Sequence, residues 1–574
     1  MLKQYLINQI KQVIKQEYHL LSREVILTNP PDAQLGDWSF ACFSLAKKIK
    51  QSPDKVAQHL SEQLQIDKII TKIVVVGPYI NFFVNKTVWF KYTLRLIQQK
   101  GKDYGRNQQG LGKRVMVEFS SPNTNKPQHL GHLRNDLIGD ALSNLLTFSG
   151  YQVIRSNLIN DRGIHIAKAM LAYQKWGENK TPTSEKMKGD YFVGDYYRLF
   201  GKKVKENPHL LDEAQDLLKK WERRDNQTIA LWQKLNDWAL NGLIATYQEL
   251  GIKFDRWYFE SEIYQSGKKI ILQALKKGLC YQQADGAIEI DLGDEKLGKK
   301  VLLRADHTSI YITQDIGLAK LKFDQYNLDK SIYVVGSEQI YYLQVLFKIL
   351  KLLSFPWAEQ CYHLTYGMVN LPSGKMKSRE GNVVEIDTLI QELKQLAQAE
   401  ILSREPNISG EELNKRSKKI ALGALKFYVL KFTLSQEVNF KPKESISFEG
   451  NTGPYLQYTY ARIQGILNKA KTDEPLDLVD DFSALKEETE IQLLKLLSQF
   501  PEVVKQAGEE YNPAQLANYL LCLTQSFNKF YHQCSVLQAS TKQIRQARLV
   551  LISSVAIVLE NGLHLLGIKP LDQM

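Results

Sequence analysis

The amino-acid sequence predicts an α/β protein in three parts: a Rossmann-like parallel-sheet domain in the middle, an α+β domain before it and an all-α helical bundle after it. Three observations carry this prediction. A strand–loop–helix–strand pattern occupies residues 115–158, helices and strands alternate over residues 1–108, and strand signals fade from about residue 390 onward. The predicted parts are 1–108, 109–390 and 391–574, and a charged helical insertion interrupts the middle one at about 175–255.

The central pattern begins with residues 115–119, a short apolar run typical of a buried strand. A loop rich in turn formers follows at 120–128, and a helical pattern then runs to a stop near Gly150. A second strand is predicted at 151–158. Such a βαβ unit carries its ligand loop at the carboxyl end of the first strand, where open parallel sheets bind nucleotides.

The segment His129-Leu130-Gly131-His132 begins the predicted helix. Two imidazoles flanking a glycine can donate hydrogen bonds to phosphate oxygens, while the glycine lets a nucleotide base approach the backbone. The helix N-terminus adds exposed N–H groups and partial positive charge. The alternative is that His129 and His132 are ordinary polar residues at a helix start.

A second segment, Lys375-Met376-Lys377-Ser378-Arg379, lies between turn formers and is predicted to be a mobile loop. Its cations could close over a triphosphate and stabilise charge that grows on a leaving pyrophosphate. A solvated basic loop is the alternative for such a cluster taken alone. The presence of both segments in one chain favours a nucleotide-activating site.

Composition agrees with this interpretation without establishing it. The formal net charge of +13 suits a polyanionic partner such as a nucleic acid, although the chain also carries 62 acidic residues. The five cysteines form no Cys-x-x-Cys pair, so neither a structural zinc site nor a disulfide framework is indicated, and a reducing, cytoplasmic location is expected. No apolar run is long enough to span a membrane, and the protein is not expected to bind one.

Residues 117–134 resemble the class I aminoacyl-tRNA synthetases, and among these the arginyl-tRNA synthetases, in the form Ser-Pro-Asn-x-x-Lys-Pro-x-His-x-Gly-His-x-Arg. The resemblance covers nearly the whole chain. Further similar blocks follow in the family's order: Asn160 to Gly163, Phe254-Asp255, Arg304 to Asp306 with Tyr311 and Asp315, Tyr333 to Gln339, Gly367 to Val369, and Phe448 to Tyr458.

The resemblance implies activation of L-arginine with ATP and transfer of the arginyl group to tRNA(Arg), with Mg²⁺ carried by the ATP and no dedicated metal site. It implies these catalytic residues: His129, His132, Lys375 and Lys126. It implies these ATP-binding residues: His129, Gly131, His132, Lys375, Met376, Lys377 and Ser378. It implies these arginine-binding residues: Glu118, Asn123 and His129 at the charged head, with Tyr311, Asp315 and Gln339 around the side chain.

The resemblance also implies two tRNA-binding regions. Asn81 and Phe82 lie in the N-terminal domain, which in the family grips the tRNA elbow. Tyr455, Tyr458 and Arg462 open the helical anticodon-binding domain, where aromatic rings and a cation can stack on splayed bases. Gln457 and Tyr460 belong to the same run, and a tyrosine-rich helix packed on its neighbours is the alternative. The protein is expected to be a monomer.

The sequence departs from the family pattern in two places. Ser378 stands where the standard loop has its second lysine, and Lys126 is a candidate for the missing charge. Tyr342 and Leu343 stand where relatives often carry His-Phe, which is expected to alter packing rather than catalysis. Two alternatives stay open beside an active arginine enzyme: a relative that has lost catalysis, and a class I synthetase for another amino acid.

Overall fold

The structure, a computed structural model, describes residues 2–20, 25–293, 295–306, 308–370, 384–473 and 481–574, with only the backbone described at 33 and 471–473. Two compact units divide the chain. The first comprises Met1–Tyr104, Ile463–Phe500 and Gln525–Val558, and the second comprises Gly105–Arg462, Pro501–Thr524 and Leu559–Met574. Residues 391–462 thus share a unit with the central sheet, and the sequential three-part division stays a prediction.

The N-terminal segment is α+β, as predicted. Its elements are α1 (Leu2–Tyr18), β1 (Leu27–Thr28), β2 (Trp38–Ala41), α2 (Phe43–Ile49), α3 (Pro53–Gln63), β3 (Ile70–Val76), β4 (Tyr79–Val84) and α4 (Lys86–Lys100). The four strands form an antiparallel sheet in the order β1-β2-β4-β3. Helix α1 buries Leu6, Ile10 and Ile14 at four-residue spacing, which is the apolar stripe of an amphipathic helix.

A second series of elements follows between residues 105 and 370. These are β5 (Arg114–Glu118), α5 (Leu130–Phe148), β6 (Gln152–Ile159), α6 (Ile164–Trp176), α7 (Gly189–Glu206), α8 (Leu210–Glu222), α9 (Asn226–Leu250), β7 (Arg256–Phe259), α10 (Glu260–Ile263), α11 (Ser266–Lys276), β8 (Tyr281–Gln282), β9 (Ile288–Asp291), β10 (Lys299–Leu303), α12 (Tyr311–Tyr326), β11 (Lys330–Gly336), α13 (Ile340–Leu352), β12 (Cys361–Tyr366) and β13 (Val369–Asn370).

The central sheet is parallel, with strand order β12-β11-β5-β6-β7. The chain runs outward from β5 through β6 to β7, and then returns to the other side of β5 with β11 and β12. This reversal creates a crevice at the carboxyl ends of β5 and β11, the position where open α/β sheets bind ligands. The predicted fold class is confirmed, and both strands of the predicted βαβ unit lie within one residue of their expected starts.

Helices α7, α8 and α9 form the predicted insertion. With α6 they share an apolar core that includes Phe192, Phe200, Leu217 and Leu235. The small antiparallel sheet β10-β9-β8 was not predicted, because its strands are only two to five residues long and offer little periodicity.

The remaining elements are mostly helical, as predicted. They are α14 (Ile386–Arg404), α15 (Gly410–Leu430), β14 (Val438–Asn439), α16 (Pro442–Ser445), α17 (Gly453–Asp473), α18 (Glu488–Glu509), α19 (Pro513–Gln533) and α20 (Lys542–Leu565). Among the described helices, α20 has the length and apolar composition that could cross a membrane, but 72% of its apolar window is buried inside the protein. A core helix meets the same criterion.

Candidate active site

Several of the predicted substrate-binding residues lie at the carboxyl edge of the parallel sheet. Glu118 ends β5, and Asn123 lies in the loop after it. Asn160 follows β6, and its backbone pairs with the loop through Thr124 N–H to Asn160 O at 3.3 Å and Asn160 N–H to Pro122 O at 3.0 Å. Carboxyl ends of neighbouring parallel strands share one edge, so loops distant in sequence meet there.

The two histidines form the first turn of α5. His129 is the N-cap residue, and its Nδ1 accepts a hydrogen bond from the Gly131 N–H at 3.1 Å. The Nδ1 of His132 accepts from the backbone N–H of His129 at 3.2 Å, and the ring centroids are 4.0 Å apart. Because both Nδ1 atoms accept backbone hydrogen bonds, the proton of each neutral ring lies on Nε2.

Both rings are neutral at pH 7. Burial, reinforced by the nearby Lys126 charge, lowers the pKa of His129 to about 4. Burial also lowers the pKa of His132. A histidine with a depressed pKa loses its positive charge above that pKa, so each Nε2–H is a neutral donor. Two such donors beside a helix N-terminus suit the oxygens of a phosphate chain.

The neutral state of His129 is directly measurable. We expect its imidazole to stay uncharged from about pH 5.5 to about pH 8, because its pKa lies near 4. The measurement is a pH titration of ¹³Cε1-labelled histidine signals, with the His129 signal assigned by its loss in His129→Gln. A His129 signal that titrates with a midpoint near 6.5 would contradict the neutral-donor assignment.

Gly131 has a steric role in addition to the predicted access for a base. A Cβ atom added there would lie 3.0 Å from Cε1 and 3.1 Å from Nδ1 of the His129 ring. A Cβ atom at this position would force the His129 ring to shift by a few tenths of an ångström, so the glycine favours the ring position over the helix start. Lys126 lies in the preceding loop, where burial lowers the pKa of its ammonium group.

The predicted loop residues Lys375, Met376, Lys377 and Ser378 lie outside the described residues. The described chain just before them is anchored to α5. Arg134, 1% exposed, donates to the backbone carbonyls of Gly367 at 2.5 Å and Gln436 at 2.7 Å. Arg134 therefore joins α5 to the residue that follows β12 and to Gln436.

A buried cluster of charged side chains includes Glu118, the last residue of β5. Asp315 of α12 accepts a hydrogen bond from the Tyr342 hydroxyl of α13, and burial raises the pKa of Asp315 to about 6. Glu118 is 7% exposed and forms an ion pair with Lys322, whose side chain is fully buried. The Glu118 and Lys322 charges both act on Asp315, so all three groups belong to one cluster.

Aromatic rings surround this cluster. The Lys322 ammonium lies 4.6 Å from the ring centroid of Tyr333 and 5.9 Å from that of Tyr258. Burial raises the pKa of Tyr333, so its hydroxyl is protonated. Planar walls and carboxylate oxygens together suit a flat cation with several N–H donors.

The other two residues predicted to surround the arginine side chain, Tyr311 and Gln339, are exposed. Tyr311 begins α12 and is 69% exposed, four residues before Asp315 as expected. Gln339 ends the short 3-10 helix Ser337–Gln339 between β11 and α13 and is also exposed. Both remain available to a ligand or to a macromolecular partner.

Sequence reasoning missed Lys322 and the hydrogen bond that the Tyr342 hydroxyl donates to Asp315. The expectation that Tyr342 alters packing rather than catalysis stays a prediction. Leu343 is a core residue, 5% exposed, as expected. Lys322 lies seven residues after Asp315 on α12, which is about two helical turns, so the sequence could have indicated that the two side chains share one face of the helix.

Lys322 provides a stability prediction. We expect Lys322→Met to lower the free energy of unfolding by about 3–5 kcal/mol, because it leaves Glu118 as an unpaired buried charge. The matched control is Lys320→Met on the same helix, whose ion pair with Asp324 is exposed and contributes about 0–1 kcal/mol. Denaturant unfolding monitored by fluorescence measures both variants. Equal effects of the two substitutions would contradict the prediction.

The predicted RNA-binding residues of the N-terminal segment need a correction. Asn81 and Phe82 are 3% and 0% exposed, because β4 is an inner strand between β2 and β3. Their side chains are not at the surface for direct RNA contact. Phe43 and Tyr79 are instead 50% and 41% exposed, and their rings pack edge to face with centroids 5.7 Å apart.

The predicted anticodon residues begin α17. Tyr455, Tyr458 and Arg462 are half-buried, and the Arg462 guanidinium lies 4.7 Å from the Tyr458 ring centroid. Gln457 and Tyr460 are 0% and 4% exposed, so this pair is part of the core rather than a stacking surface. The helical period explains the division, since residues three to four apart share one face.

The comparisons with known proteins agree with the arrangement of fold and site. Residues 94–440 match the family model described as "tRNA synthetases class I (R), catalytic domain". Residues 456–574 match "DALR anticodon binding domain", and residues 3–84 match "Arginyl tRNA synthetase N terminal domain". The parallel sheet with its histidine-capped helix is therefore the catalytic fold of a class I aminoacyl-tRNA synthetase.

Similar proteins of known name extend over the whole chain. A protein of Treponema denticola named arginine–tRNA ligase is 44% identical over 97% of this chain and 96% of its own length. A protein of Borrelia hermsii with the same name is 41% identical over 100% of this chain and 99% of its own length. The solved structure of Thermus thermophilus arginyl-tRNA synthetase covers 100% of both chains with a TM-score of 0.81 and 27% identity. The chain belongs to the arginyl-tRNA synthetase family, the arginine–tRNA ligases.

Proposed function

We propose that this chain activates L-arginine with ATP, forming arginyl adenylate and pyrophosphate, and then transfers the arginyl group to the 3′-terminal adenosine of tRNA(Arg). The observation that carries the proposal is the arrangement at one sheet edge. Two neutral imidazole donors begin α5, and the strand before that helix ends at Glu118, which belongs to the buried charged cluster around Asp315. The first suits a triphosphate and the second suits a guanidinium.

The nucleotide part of the site uses His129, Gly131 and His132. The two Nε2–H groups donate to phosphate oxygens, and Lys126 adds positive charge from the preceding loop. Lys375, Met376, Lys377 and Ser378 complete this part in the proposal, with Lys375 and Lys126 stabilising charge on the departing pyrophosphate. Mg²⁺ arrives with ATP and binds phosphate oxygens.

The amino-acid part of the site recognises charge as well as shape. Glu118 and Asp315 contribute two negative charges and Lys322 one positive charge, so the cluster retains one net negative charge when Asp315 is ionised. A guanidinium neutralises it, whereas the uncharged side chain of citrulline does not. Tyr311 and Gln339 line the mouth of the pocket, while Asn123, Glu118 and His129 align the charged head of the amino acid.

No protein nucleophile is required. An oxygen of the arginine carboxylate attacks the α-phosphorus of ATP, the bond from that phosphorus to the bridging oxygen breaks, and pyrophosphate leaves. A ribose hydroxyl of the terminal adenosine, the 2′-OH in the class I manner, then attacks the arginyl carbonyl and AMP leaves. Placement and charge stabilisation supply the acceleration, and good placement alone contributes about 7–11 kcal/mol.

The rest of the chain serves tRNA binding in this proposal. Residues 1–108 form the additional N-terminal tRNA-binding domain, 109–390 the catalytic domain and 391–574 the anticodon-binding domain. In the N-terminal segment we assign RNA contact to the exposed Phe43 and Tyr79. At the start of α17 we assign it to Tyr455, Tyr458 and Arg462. The protein acts as a cytoplasmic monomer.

The decisive experiment is ATP–pyrophosphate exchange with each of the twenty amino acids and with citrulline, with and without tRNA. We expect exchange with arginine and not with lysine or citrulline. Exchange with a different amino acid would overturn the pocket assignment. Absence of exchange under all conditions would favour a relative that binds tRNA without catalysis. The dependence of exchange on tRNA reports whether tRNA completes the site.

A further inference from the structure

The loop that precedes His129 has a strained backbone. Ser120 and Ser121 both adopt left-handed conformations, with φ values of 78° and 51°, which are uncommon for residues other than glycine. Such conformations are energetically unfavourable and persist only where surrounding groups hold them. This pair turns the chain from β5 into the segment that carries Asn123 and His129.

Backbone hydrogen bonds hold the two strained residues from one side. The Ser120 N–H donates to Asn135 Oδ1 of α5 at 2.5 Å, and the Ser121 N–H donates to Asn157 Oδ1 of β6 at 3.0 Å. Both partners come from elements of the sheet domain itself.

The insertion holds the same loop from the other side, through Tyr247 of α9. Its hydroxyl, in a side chain 2% exposed, lies 2.5 Å from Ser120 Oγ. It accepts hydrogen bonds from Gln128 Nε2 and Asn157 Nδ2, each at 3.1 Å. With two acceptor positions occupied, the hydroxyl proton is directed to Ser120 Oγ.

The Tyr247 hydroxyl therefore contacts both ends of the loop and the neighbouring strand. Ser120 begins the loop, Gln128 ends it immediately before His129, and Asn157 also holds the Ser121 N–H. Gln128 Nε2 in addition donates to Ser120 Oγ at 2.9 Å, which closes the network. These buried hydrogen bonds connect the two ends of the loop and so restrict its backbone.

The ring of Tyr247 has a separate, structural role. It packs edge to face against Phe254 and Trp257, with centroids 5.0 Å and 5.9 Å away. It lies on the buried face of α9 with Leu243 and Leu250, as a core residue does. Removing only the hydroxyl separates the two roles, because phenylalanine keeps the ring contacts.

We propose that Tyr247, a residue of the helical insertion, is a positioning residue for amino-acid activation: its hydroxyl holds the strained Ser120–Ser121 turn and so places Asn123 and His129. The inference rests on the proposed function, since it concerns the same reaction. Tyr247 touches no reacting atom and acts through the loop. The insertion thereby becomes part of the activation machinery.

The test compares Tyr247→Phe with Tyr173→Phe in pyrophosphate exchange. Tyr173 is a matched control, because it is a buried tyrosine of the same insertion core whose hydroxyl donates to Lys180 O at 2.8 Å. We expect Tyr247→Phe to lower kcat about 10–100-fold with a smaller change in KM for arginine, because misplacement penalises the transition state most. Tyr173→Phe should stay within about twofold of wild type.

A double-mutant cycle separates positioning from general destabilisation. Ser120→Ala removes the hydroxyl's partner from the loop side, so the double variant with Tyr247→Phe should be no slower than the slower single variant. The proposal would be overturned if the rate losses of the two single variants multiplied in the double variant. It would also be overturned if Tyr247→Phe kept the wild-type kcat and only lowered the thermal midpoint. If the wild type exchanges with an amino acid other than arginine, the proposed substrate fails and the same comparison is made with that amino acid.

Discussion

Replacing Asp315 by Asn is expected to lower kcat/KM for arginine in pyrophosphate exchange by about 10³-fold or more. The substitution keeps the size of the side chain and removes the negative charge that a guanidinium requires, leaving buried donors and acceptors mismatched. Because burial raises the pKa of Asp315 to about 6, the wild-type carboxylate becomes protonated as the pH falls through that value. The wild-type KM for arginine should therefore rise below about pH 6.

The control for this experiment lies on the same helix. Asp324→Asn removes an exposed carboxylate of α12 that pairs with Lys320, and it should leave exchange within about twofold of wild type. ATP binding, measured by nucleotide titration, should be unchanged in Asp315→Asn. A fall of less than about tenfold in kcat/KM for Asp315→Asn would remove Asp315 from the guanidinium pocket.

The second large effect is expected at His132. His132→Ala removes one of the two Nε2–H donors and the Nδ1 atom that accepts the His129 backbone N–H. We expect kcat for adenylate formation to fall about 10²–10³-fold, the loss typical of one preorganised donor to a charged transition state. We expect a smaller change in KM for arginine, because Tyr311, Asp315 and Gln339, which we propose to surround the arginine side chain, lie outside α5. Single-turnover formation of adenylate measures the step directly.

A histidine outside the site is the control. His209→Ala, before α8 and with a side chain 89% exposed, should leave the rate unchanged. If His132→Ala raises KM for ATP while leaving kcat unchanged, His132 binds the ground state of ATP as strongly as the transition state, and the assignment of a transition-state role is wrong.

Local patterns predicted the elements that position the site. The apolar run at β5, the turn-rich loop and the helical spacing of α5 each depend on residues close in sequence, and all three are present within a few positions of their predicted bounds. The histidine segment was also placed correctly at the helix start, because an N-cap is a local feature. The role of Asp315 in substrate binding stays a prediction.

Partners that are distant in sequence could not be predicted in this way. Lys322 pairs with Glu118 across 204 positions, and the Tyr342 hydroxyl reaches Asp315 from another helix. The burial of Asn81 and Phe82 likewise depends on β4 lying between two other strands. Each of these features is decided by which elements become neighbours.

The sequence by itself determined the α/β class, the order of the elements, the histidine-capped helix and the family, because periodicity, turn chemistry and motif spacing are written in adjacent residues. Only the tertiary structure decided the charge balance of the pocket and the network around Tyr247. Burial and long-range hydrogen bonds set these properties, since a carboxylate or a hydroxyl changes its pKa and its role according to the groups that folding brings within a few ångströms.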